Sequence, residues 1–314
     1  MPSDEAIKAS AASGWKTWST KKKAAILGIT LFILALAIGL GVGLGLGLNN
    51  DNDNGSSGGG GGSGGDNTTT WQPPVGSTWQ IVLSYALNDT RPAVDVYDID
   101  LFENPASTID ELHAQSRRVI CYFSAGTYED WREDASSFPQ EDIGADLPDW
   151  EGESWVDITS EAIRDIMTAR LDLAREKGCD GVDPDNVDGY DNDNGLGLSE
   201  EDTVDYVRFL AREARDRGLS IGLKNAGAVI DRVIGDMQWS VNEQCAEYHE
   251  CDVYAAFVRA NKPVFHLEYP KGDKVNDEVE VTGRRKTEAC DFGESDKFST
   301  LIKNMDLDNW YQTC

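Results

Sequence analysis

Short apolar runs alternate with longer amphipathic stretches from Trp71 to the C-terminus. The short runs are rich in β-branched and aromatic residues, whereas the longer stretches repeat apolar residues at helical spacing. This alternation is typical of β/α units around a parallel sheet. Eight candidate strands predict an α/β fold, a TIM-like (β/α)8 barrel. They lie at residues 80–85, 94–101, 119–124, 181–185, 220–224, 239–243, 263–268 and, with a weaker pattern, 306–310.

The helical stretches carry clear start and stop signals. Ser199 and Asp202 have the spacing of a capping box, and Gly218 follows the last apolar position of that helix. A second helix is predicted at residues 160–177, ended by Gly178. We interpret their apolar faces as core rather than as a cofactor site, since residues 71–314 contain no GxGxxG, P-loop or HExxH motif.

Residues 24–48 form a long stretch without a charge. A helix rising about 1.5 Å per residue would cross a hydrocarbon core about 30 Å thick with this length. Lysines precede the stretch and aspartates follow it, so we expect a single-pass type II protein at the cell membrane. A cleaved signal peptide is disfavoured for two reasons: residues 1–23 precede the uncharged stretch, and no small-residue cleavage pattern follows it.

This topology divides the chain into four parts. Residues 1–23 are predicted to be a cytoplasmic tail and residues 24–48 a transmembrane helix. Residues 49–70, rich in Gly, Ser, Asn and Asp, are predicted to be a flexible linker, and residues 71–314 an extracellular barrel domain. Sequons at Asn54, Asn67 and Asn88 fit an extracellular glycoprotein.

Six cysteines lie in the predicted barrel, at positions 121, 179, 245, 251, 290 and 314. Their even number in an oxidising compartment, without a CxxC motif, favours disulfides over zinc ligation. Close spacing favours a bridge between Cys245 and Cys251, and Cys290 is a candidate partner for the C-terminal Cys314. The other pairings stay open at this point.

The chain is strongly acidic, with a formal net charge of −28. Residues 1–48 hold five lysines and two acidic residues, a net charge of +3, so the remainder carries −31. Such a charge argues against nucleic acid or an anionic membrane surface as a partner, and it is compatible with a cationic one.

Carboxylates dominate the polar residues that close the predicted strands. In an α/β barrel the reactive groups come from the C-terminal ends of the strands. Hydrolysis of a glycosidic bond needs two carboxyl groups there, because one protonates the leaving oxygen while the other acts as nucleophile or activates water. The strand-end residues are Tyr85, Asp98, Asp100, Tyr122, Ser124, Asp183, Asp185, Asn186, Lys224, Asn225, Asn242, Glu243, His266, Glu268 and Tyr269.

Other kinds of site fit less well. A sugar-binding module without catalysis remains an alternative, with Trp131 and Trp310 as candidates to stack on sugar rings. An EF-hand needs Gly at its sixth position and Glu at its twelfth, whereas a loop starting at Asp191 has Gly195 fifth and Asp202 twelfth. The three histidines are too scattered for an evident metal cluster, so we expect no metal and no cofactor.

Several motifs resemble one enzyme family. GCDGVDPDNVDGY, together with VDVYDIDLF, VICYFSAGTYEDWR, IGLKNAG, WSVNEQC and FHLEYP, resembles glycoside hydrolase family 114, and the whole arrangement is similar to its membrane-anchored fungal members. The resemblance covers about residues 71–314. It implies a TIM-like barrel with endo-α-1,4-polygalactosaminidase activity on galactosaminogalactan, an exopolysaccharide of fungal walls and biofilms.

The resemblance also implies site residues. The family's catalytic pair falls on Asp185 and Glu243, with Asp185 as nucleophile or base and Glu243 as general acid, although these roles are interchangeable at this stage. Asp183 is the main alternative to Asp185 as the catalytic carboxylate. If it is not catalytic, we expect it to orient Lys224. The further candidates for substrate binding are Asp100, Tyr122, Asp183, Asn186, Asp188, Lys224, Asn225 and Glu268.

The implied substrate gives the acidity a physical reason. Deacetylated galactosamine carries an ammonium group near neutral pH, so an acidic cleft would attract its polymer and hold it by charge-assisted hydrogen bonds. We expect Asp100, Asp188 and Glu268 to bind these amines. A hydrolase of another α-linked amino-sugar polymer and a non-catalytic wall-binding protein remain alternatives, and we expect a monomeric ectodomain.

Overall fold

A computed structural model describes residues 70–272 and 274–314, which belong to one compact unit. No helix in these two ranges is long and apolar enough to cross a membrane. The predicted tail and transmembrane helix, and the predicted linker up to residue 69, lie outside the described residues.

Twelve strands are found in the described part of the chain. Eight of them run parallel in the order β1-β2-β3-β7-β8-β9-β10-β11, with β12 antiparallel on β11, and β4-β6-β5 form a separate antiparallel sheet. The strands are β1 (Trp79–Val82), β2 (Val96–Asp100), β3 (Arg118–Ser124), β4 (Thr127–Glu129), β5 (Ile143–Asp146), β6 (Glu153–Val156), β7 (Gly181–Asp185), β8 (Ser220–Lys224), β9 (Trp239–Glu243), β10 (Val264–Glu268), β11 (Ser299–Lys303) and β12 (Tyr311–Thr313).

Helices connect most of the parallel strands, as the alternating pattern predicts. The capping box of Ser199 and Asp202 is present at the start of α3, and α2 follows Ser160 and ends at Gly178, whose φ is 90°. The helices are α1 (Ala106–Ala114), α2 (Glu161–Lys177), α3 (Glu200–Asp216), α4 (Ile230–Val233), α5 (Cys245–Tyr248), α6 (Cys251–Arg259) and α7 (Gly283–Cys290).

Side chains join the first parallel strand to the eighth. The buried ammonium group of Lys303, on β11, donates hydrogen bonds to the Ile81 carbonyl at 2.8 Å and to Gln80 Oε1 at 3.2 Å, both on β1. At the other end of the same seam, Trp79 Nε1 donates to the Ser299 carbonyl at 2.8 Å. The sheet is therefore a nearly closed, TIM-like barrel.

The barrel has two cores because successive strand residues face opposite sides of the sheet. An outer core fills the space between strands and helices. The inner core is an apolar plug, and Trp239 occupies so much of it that a Cβ at Gly222 would lie 2.0 Å from its indole nitrogen. The plug consists mainly of Trp79, Ile81, Val96, Ile120, Trp239, Val241, Phe265, Leu267 and Leu301.

The prediction of a strand at residues 306–310 is wrong. The eighth parallel strand is β11 (Ser299–Lys303), and residues 306–310 belong to the connection before β12. The sequence STLIK has only two large apolar residues, and it ends in an inward-facing lysine that donates to the Ile81 carbonyl on β1 and to the Asp308 carbonyl. The three-stranded sheet inserted after β3 is also absent from the sequence-based prediction.

The six cysteines form three disulfides, Cys121–Cys179, Cys245–Cys251 and Cys290–Cys314. The two pairings favoured by the sequence are confirmed. The remaining bridge ties β3 to the residues just before β7, which is the strand that carries Asp185.

Candidate active site

Five polar side chains meet above the apolar plug, at the C-terminal ends of neighbouring strands. Their side chains face the barrel interior, as those of the plug do, because every second residue of a strand faces the same side. Asp185 is two residues beyond Asp183 on β7, and Glu243 is two residues beyond Val241 on β9. Parallel strands end on the same rim, so the sheet brings these groups together although they are distant in sequence. They are Tyr122, Asp185, Lys224, Glu243 and Tyr269.

A buried lysine joins the two carboxylates. Lys224 Nζ lies 3.1 Å from Asp185 Oδ2 and 3.3 Å from Glu243 Oε2, and only 2% of its side chain is exposed. Because one atom lies within reach of both oxygens, their separation cannot exceed the sum of these two distances. Burial acts to lower the pKa of Lys224, but Asp185, Glu243 and Asp183 together raise that pKa well above its ordinary value.

Two tyrosines donate hydrogen bonds to the same carboxylates. Tyr122 donates its hydroxyl to Asp185 Oδ2 at 2.9 Å, and Tyr269 donates to Glu243 Oε1 at 2.5 Å. Burial, followed by the adjacent carboxylate, raises the pKa of each tyrosine well above its ordinary value. Both phenols therefore stay protonated near neutral pH and act as fixed hydrogen-bond donors.

The backbone turns sharply after each of the three central strands. Asn186, Asn225 and Gln244 directly follow β7, β8 and β9 and have φ values of 59°, 47° and 62°. Such left-handed conformations are uncommon outside glycine and concentrate at functional sites. Asn225 uses this turn to orient Glu243, because its Oδ1 accepts the Glu243 N–H at 3.0 Å and its Nδ2 donates to Oε2 at 3.3 Å.

A close backbone approach supports the turn at Asn186. The N–H groups of Ala125 and Gly126 donate to the Asp185 carbonyl at 2.8 and 3.1 Å. A Cβ on Gly126 would lie 1.7 Å from the carbonyl oxygen of Asn186, so only glycine fits there. The loop after β3 thus fixes the end of β7 and with it the direction of the Asp185 side chain.

Two cavities meet over this cluster, with volumes of about 1210 and 580 Å³. The smaller one contains Asp185, Lys224 and Tyr122, and its far wall includes residues of the inserted sheet. Together they form an open groove that continues on both sides of the carboxylate pair. The residues that line both cavities are Trp150, Asp188, Asn225, Glu243, Met305 and Asp306.

Two carboxyl groups of the groove, Asp188 and Glu153, form no ion pair with a lysine or arginine of the described residues. Burial, with a contribution from Asp185, raises the pKa of Asp188 to about 6. Burial, with a contribution from Glu129, raises the pKa of Glu153 to about 7. Glu153 lies directly across the antiparallel β4/β6 pair from Glu129, an arrangement of like charges that destabilises a sheet. The groove therefore favours positively charged occupants.

Seven of the predicted site residues lie together at this groove. An eighth predicted residue, Asp100, also lines the edge of the groove. Both of its carboxylate oxygens, however, accept hydrogen bonds from Arg132, at 3.1 and 2.7 Å. The N–H groups of Phe102 and Glu103 also donate to it. The seven are Tyr122, Asp185, Asn186, Asp188, Lys224, Asn225 and Glu243.

Two predicted residues lie away from the groove wall. Glu268 is 3% exposed and lines neither cavity; its Oε1 accepts the Ala246 N–H at 2.8 Å and lies 2.9 Å from His266 Nε2. Its prediction as an amine-binding residue is corrected for that reason, since it faces away from the barrel interior. Asp183 is fully buried beneath Lys224 and does not line either cavity.

The two tryptophans proposed for sugar stacking differ. Trp131 is 51% exposed and lines the smaller cavity. Trp310 is covered by the ammonium group of Lys271, 3.2 Å from its ring centre, and lines neither cavity. Trp150, 53% exposed between the two cavities, was missed together with Glu153. Both missed residues belong to or flank the inserted sheet, and no strand-end pattern marks them in the sequence.

Metal binding has little support in the described ranges. The only group with suitable spacing there is Cys245, Cys251 and His266, and its two cysteines are consumed by their disulfide. Asp185 and Glu243 are instead paired with the ammonium group of Lys224. The arrangement is suited to acid–base and nucleophilic chemistry by two carboxyl groups.

Comparison with known proteins identifies the family. The model of glycoside-hydrolase family GH114 matches residues 63–314. The chain belongs to this family. A crystal structure of Aspergillus fumigatus Ega3 in complex with galactosamine is 60% identical, with a TM-score of 0.78 over 80% of this chain and 100% of that one. The chain is accordingly a glycosidase.

More distant matches support the fold alone. The glycoside hydrolase domain of PelA from Pseudomonas aeruginosa is 14% identical, with a TM-score of 0.55 over 74% of this chain and 98% of that one. A search of curated proteins gives no match.

Proposed function

We propose that this glycosidase cleaves α-1,4-galactosamine linkages inside galactosaminogalactan-type chains, with Asp185 and Glu243 as its carboxyl pair. The observation that carries the proposal is the single buried ammonium of Lys224 between both carboxylates at the floor of an open groove. Family membership supports the reaction, and the 60% identity to Ega3, whose crystal structure contains galactosamine, supports the sugar.

The spacing of the pair favours retention of anomeric configuration. Inverting enzymes keep their carboxyl groups about 6.5–9.5 Å apart to admit a water, whereas retaining enzymes keep them about 5–5.5 Å apart. The contacts of 3.1 and 3.3 Å to one atom, Lys224 Nζ, keep Asp185 Oδ2 and Glu243 Oε2 close together, which agrees better with the retaining spacing. In this mechanism one carboxylate attacks the anomeric carbon, the other donates a proton to the leaving oxygen, and water then hydrolyses the glycosyl-enzyme ester.

We assign the attack to Asp185 and the proton transfer to Glu243. Each carboxylate is held by Lys224, one tyrosine and one amide N–H, so the distinction between them rests on reach and exposure. Glu243 has the longer side chain and greater exposure, 24% against 17%, and lies where both cavities meet. Those features suit a group that reaches the leaving oxygen and later activates water.

The groove also fits the inner part of a cationic polymer. It extends on both sides of Glu243, so sugar units on either side of the cleaved bond can be accommodated, as endo cleavage requires. Asp188 and Glu153 contribute carboxyl groups without a cationic partner in the described residues, and substrate ammonium groups would supply one. Trp131 and Trp150 offer exposed rings for sugar stacking.

The membrane location is part of this proposal. The uncharged stretch at residues 24–48 and the lysines before it predict a type II anchor, with the catalytic domain outside the cell. The Gly/Ser-rich residues that follow would tether the enzyme near cell-surface polysaccharide. The proposal also includes a monomeric, glycosylated catalytic domain.

The substrate assignment is tested by hydrolysis of deacetylated and fully acetylated galactosaminogalactan over a range of salt concentrations. We expect internal cleavage of the deacetylated polymer that slows as salt screens the acidic groove. Equal, salt-insensitive cleavage of both polymers would contradict the role of ammonium groups. A product pattern specific to another amino-sugar chain would identify a different substrate, and binding without release of reducing ends would indicate a non-catalytic protein.

A further inference from the structure

Two aspartates lie between the apolar plug and the carboxylate pair. Asp98 on β2 and Asp183 on β7 stand at strand positions that face the barrel interior, and neither has any exposed surface. All four of their side-chain oxygens are buried without a hydrogen-bond donor from the described residues. The two carboxyl groups are within hydrogen-bonding reach of each other.

The charged groups around this pair come from three strands. Lys224 on β8 attracts negative charge, whereas Asp185 on β7 and Glu243 on β9 oppose it. Burial raises the pKa of Asp98 and that of Asp183, and repulsion from neighbouring carboxylates adds to this effect. Four carboxyl groups thus surround one ammonium group in a site closed to solvent from below.

Elementary chemistry limits the protonation of the pair. A buried carboxylate without a donor is strongly disfavoured, and two carboxylates in contact cannot both ionise at ordinary cost. A single proton between them supplies the missing donor, and the adjacent ammonium group favours retention of one negative charge. Coupled carboxyl groups of this type titrate as a pair rather than singly.

We propose that Asp98 and Asp183 share one proton and form a positioning pair, which holds one negative charge beneath Lys224. The pair does not touch substrate. Its charge keeps Lys224 charged and directed between Asp185 and Glu243.

The pair has a further consequence that rests on the proposed function. When Asp185 becomes esterified in a retaining mechanism, it loses the negative charge that faces Lys224. The charge on Asp98 and Asp183 then remains as a fixed counter-ion for the ammonium group. Lys224 therefore keeps its position through both halves of the reaction without any proton being moved to or from the pair.

Infrared difference spectroscopy of the purified full-length chain tests the shared proton directly. Near neutral pH the wild type should show a carbonyl stretch from the protonated carboxyl group of this pair, besides those of Glu153 and of the general acid, which the variants below leave in place. Asp98→Asn and Asp183→Asn should each abolish this band, because an amide donates the hydrogen bond in place of the proton and the other aspartate stays ionised. Asp277→Asn, at an exposed carboxylate with a lysine partner, is the matched control and should leave the band unchanged.

The spectroscopic outcomes are decisive in both directions. A band unaffected by both single substitutions would show that neither aspartate is protonated, as when buried waters solvate two carboxylates, and would overturn the proposal. A band that persists at half intensity in each variant would show two protons and no charge, and would overturn it too. These results do not depend on the identity of the substrate.

The positioning role is tested by the pH dependence of kcat/KM. Each single variant keeps one negative charge and should keep the alkaline limb of the wild type. The double variant Asp98→Asn/Asp183→Asn loses that charge, and its alkaline limb should move to lower pH by about one unit, because loss of this negative charge lowers the pKa of Lys224, which Asp183 helps to raise. An unchanged limb in a double variant with normal circular dichroism would refute the positioning role. If the double variant does not fold, a shifted alkaline limb in either single variant, which still holds the charge of the pair, would refute the positioning role.

Discussion

Replacement of Lys224 by methionine tests the electrostatic arrangement of the groove floor. Methionine is close to lysine in length and shape but has no charge, so the change removes the ammonium group and retains most of the packing. Asp185 and Glu243 would then face each other across the space that the ammonium group occupied, with no cation between them. Their repulsion should oppose the state with an ionised nucleophile.

The magnitude follows from the two contacts. At 3.1 and 3.3 Å, each attraction is about 5 kcal/mol at an effective dielectric constant of about 20. Both carboxylates are partly exposed, so solvent screening leaves a smaller share. Loss of one partner of a buried ion pair costs about 3–5 kcal/mol. A transition state that loses about 3–4 kcal/mol reacts roughly 10²- to 10³-fold more slowly.

The assay is reducing-end release as a function of pH. For Lys224→Met we expect kcat/KM to fall by about 10²- to 10³-fold at pH 7, and its acidic limb to move upward by about 1–3 pH units. Lys262→Met is the matched control, because Lys262 donates to the Ile234 carbonyl and lines neither cavity; it should affect stability only. Activity of Lys224→Met within threefold of wild type, with an unchanged pH profile, would refute the reasoning.

Two further predictions concern stability. Removal of the Cys121–Cys179 bridge by a double serine substitution should cost about 4 kcal/mol, the loop-entropy value for a separation of 58 residues, and a melting temperature that does not fall would contradict it. The pKa of Glu153 is about 7 in the folded protein and has an ordinary value of 4.5. Between these two pH values the folded state binds a proton that the unfolded state has lost, so the free energy of unfolding decreases as pH rises from 4.5 to about 7. Glu153→Gln should flatten the dependence of the melting temperature on pH from about 4.5 to 7; the control Glu151→Gln, at an exposed position, should leave the wild-type slope.

Sequence pattern was sufficient for most of the barrel. Seven of its eight parallel strands contain an apolar or alternating run that the pattern detects, and the caps of α2 and α3 lie where Ser160, Ser199 and Gly178 indicate. The eighth strand was missed because its apolar run is only two residues long, Leu301 and Ile302. Lys303, at its end, is held by hydrogen bonds to β1, more than two hundred residues away in sequence, and to the Asp308 carbonyl.

The candidate site divides in the same way. Residues at strand ends, such as Asp185 and Glu243, were found because the barrel fixes where they meet. Asp100 and Glu268 also end strands. Only the structure shows that Asp100 is paired with Arg132 and that Glu268 faces outward and contacts His266. Trp150 and Glu153 depend on an inserted sheet with short strands and weak alternation, so sequence reasoning had no register to place them.

The most direct test of the account is the stereochemistry and residue dependence of cleavage, measured together by proton NMR on deacetylated galactosamine oligosaccharides. The wild-type chain should release products that are first observed as the α-anomer, and Asp185→Asn and Glu243→Gln should each lose nearly all activity. Initial release of the β-anomer, or wild-type rates in both variants, would contradict the assignment of Asp185 and Glu243 as a retaining carboxyl pair.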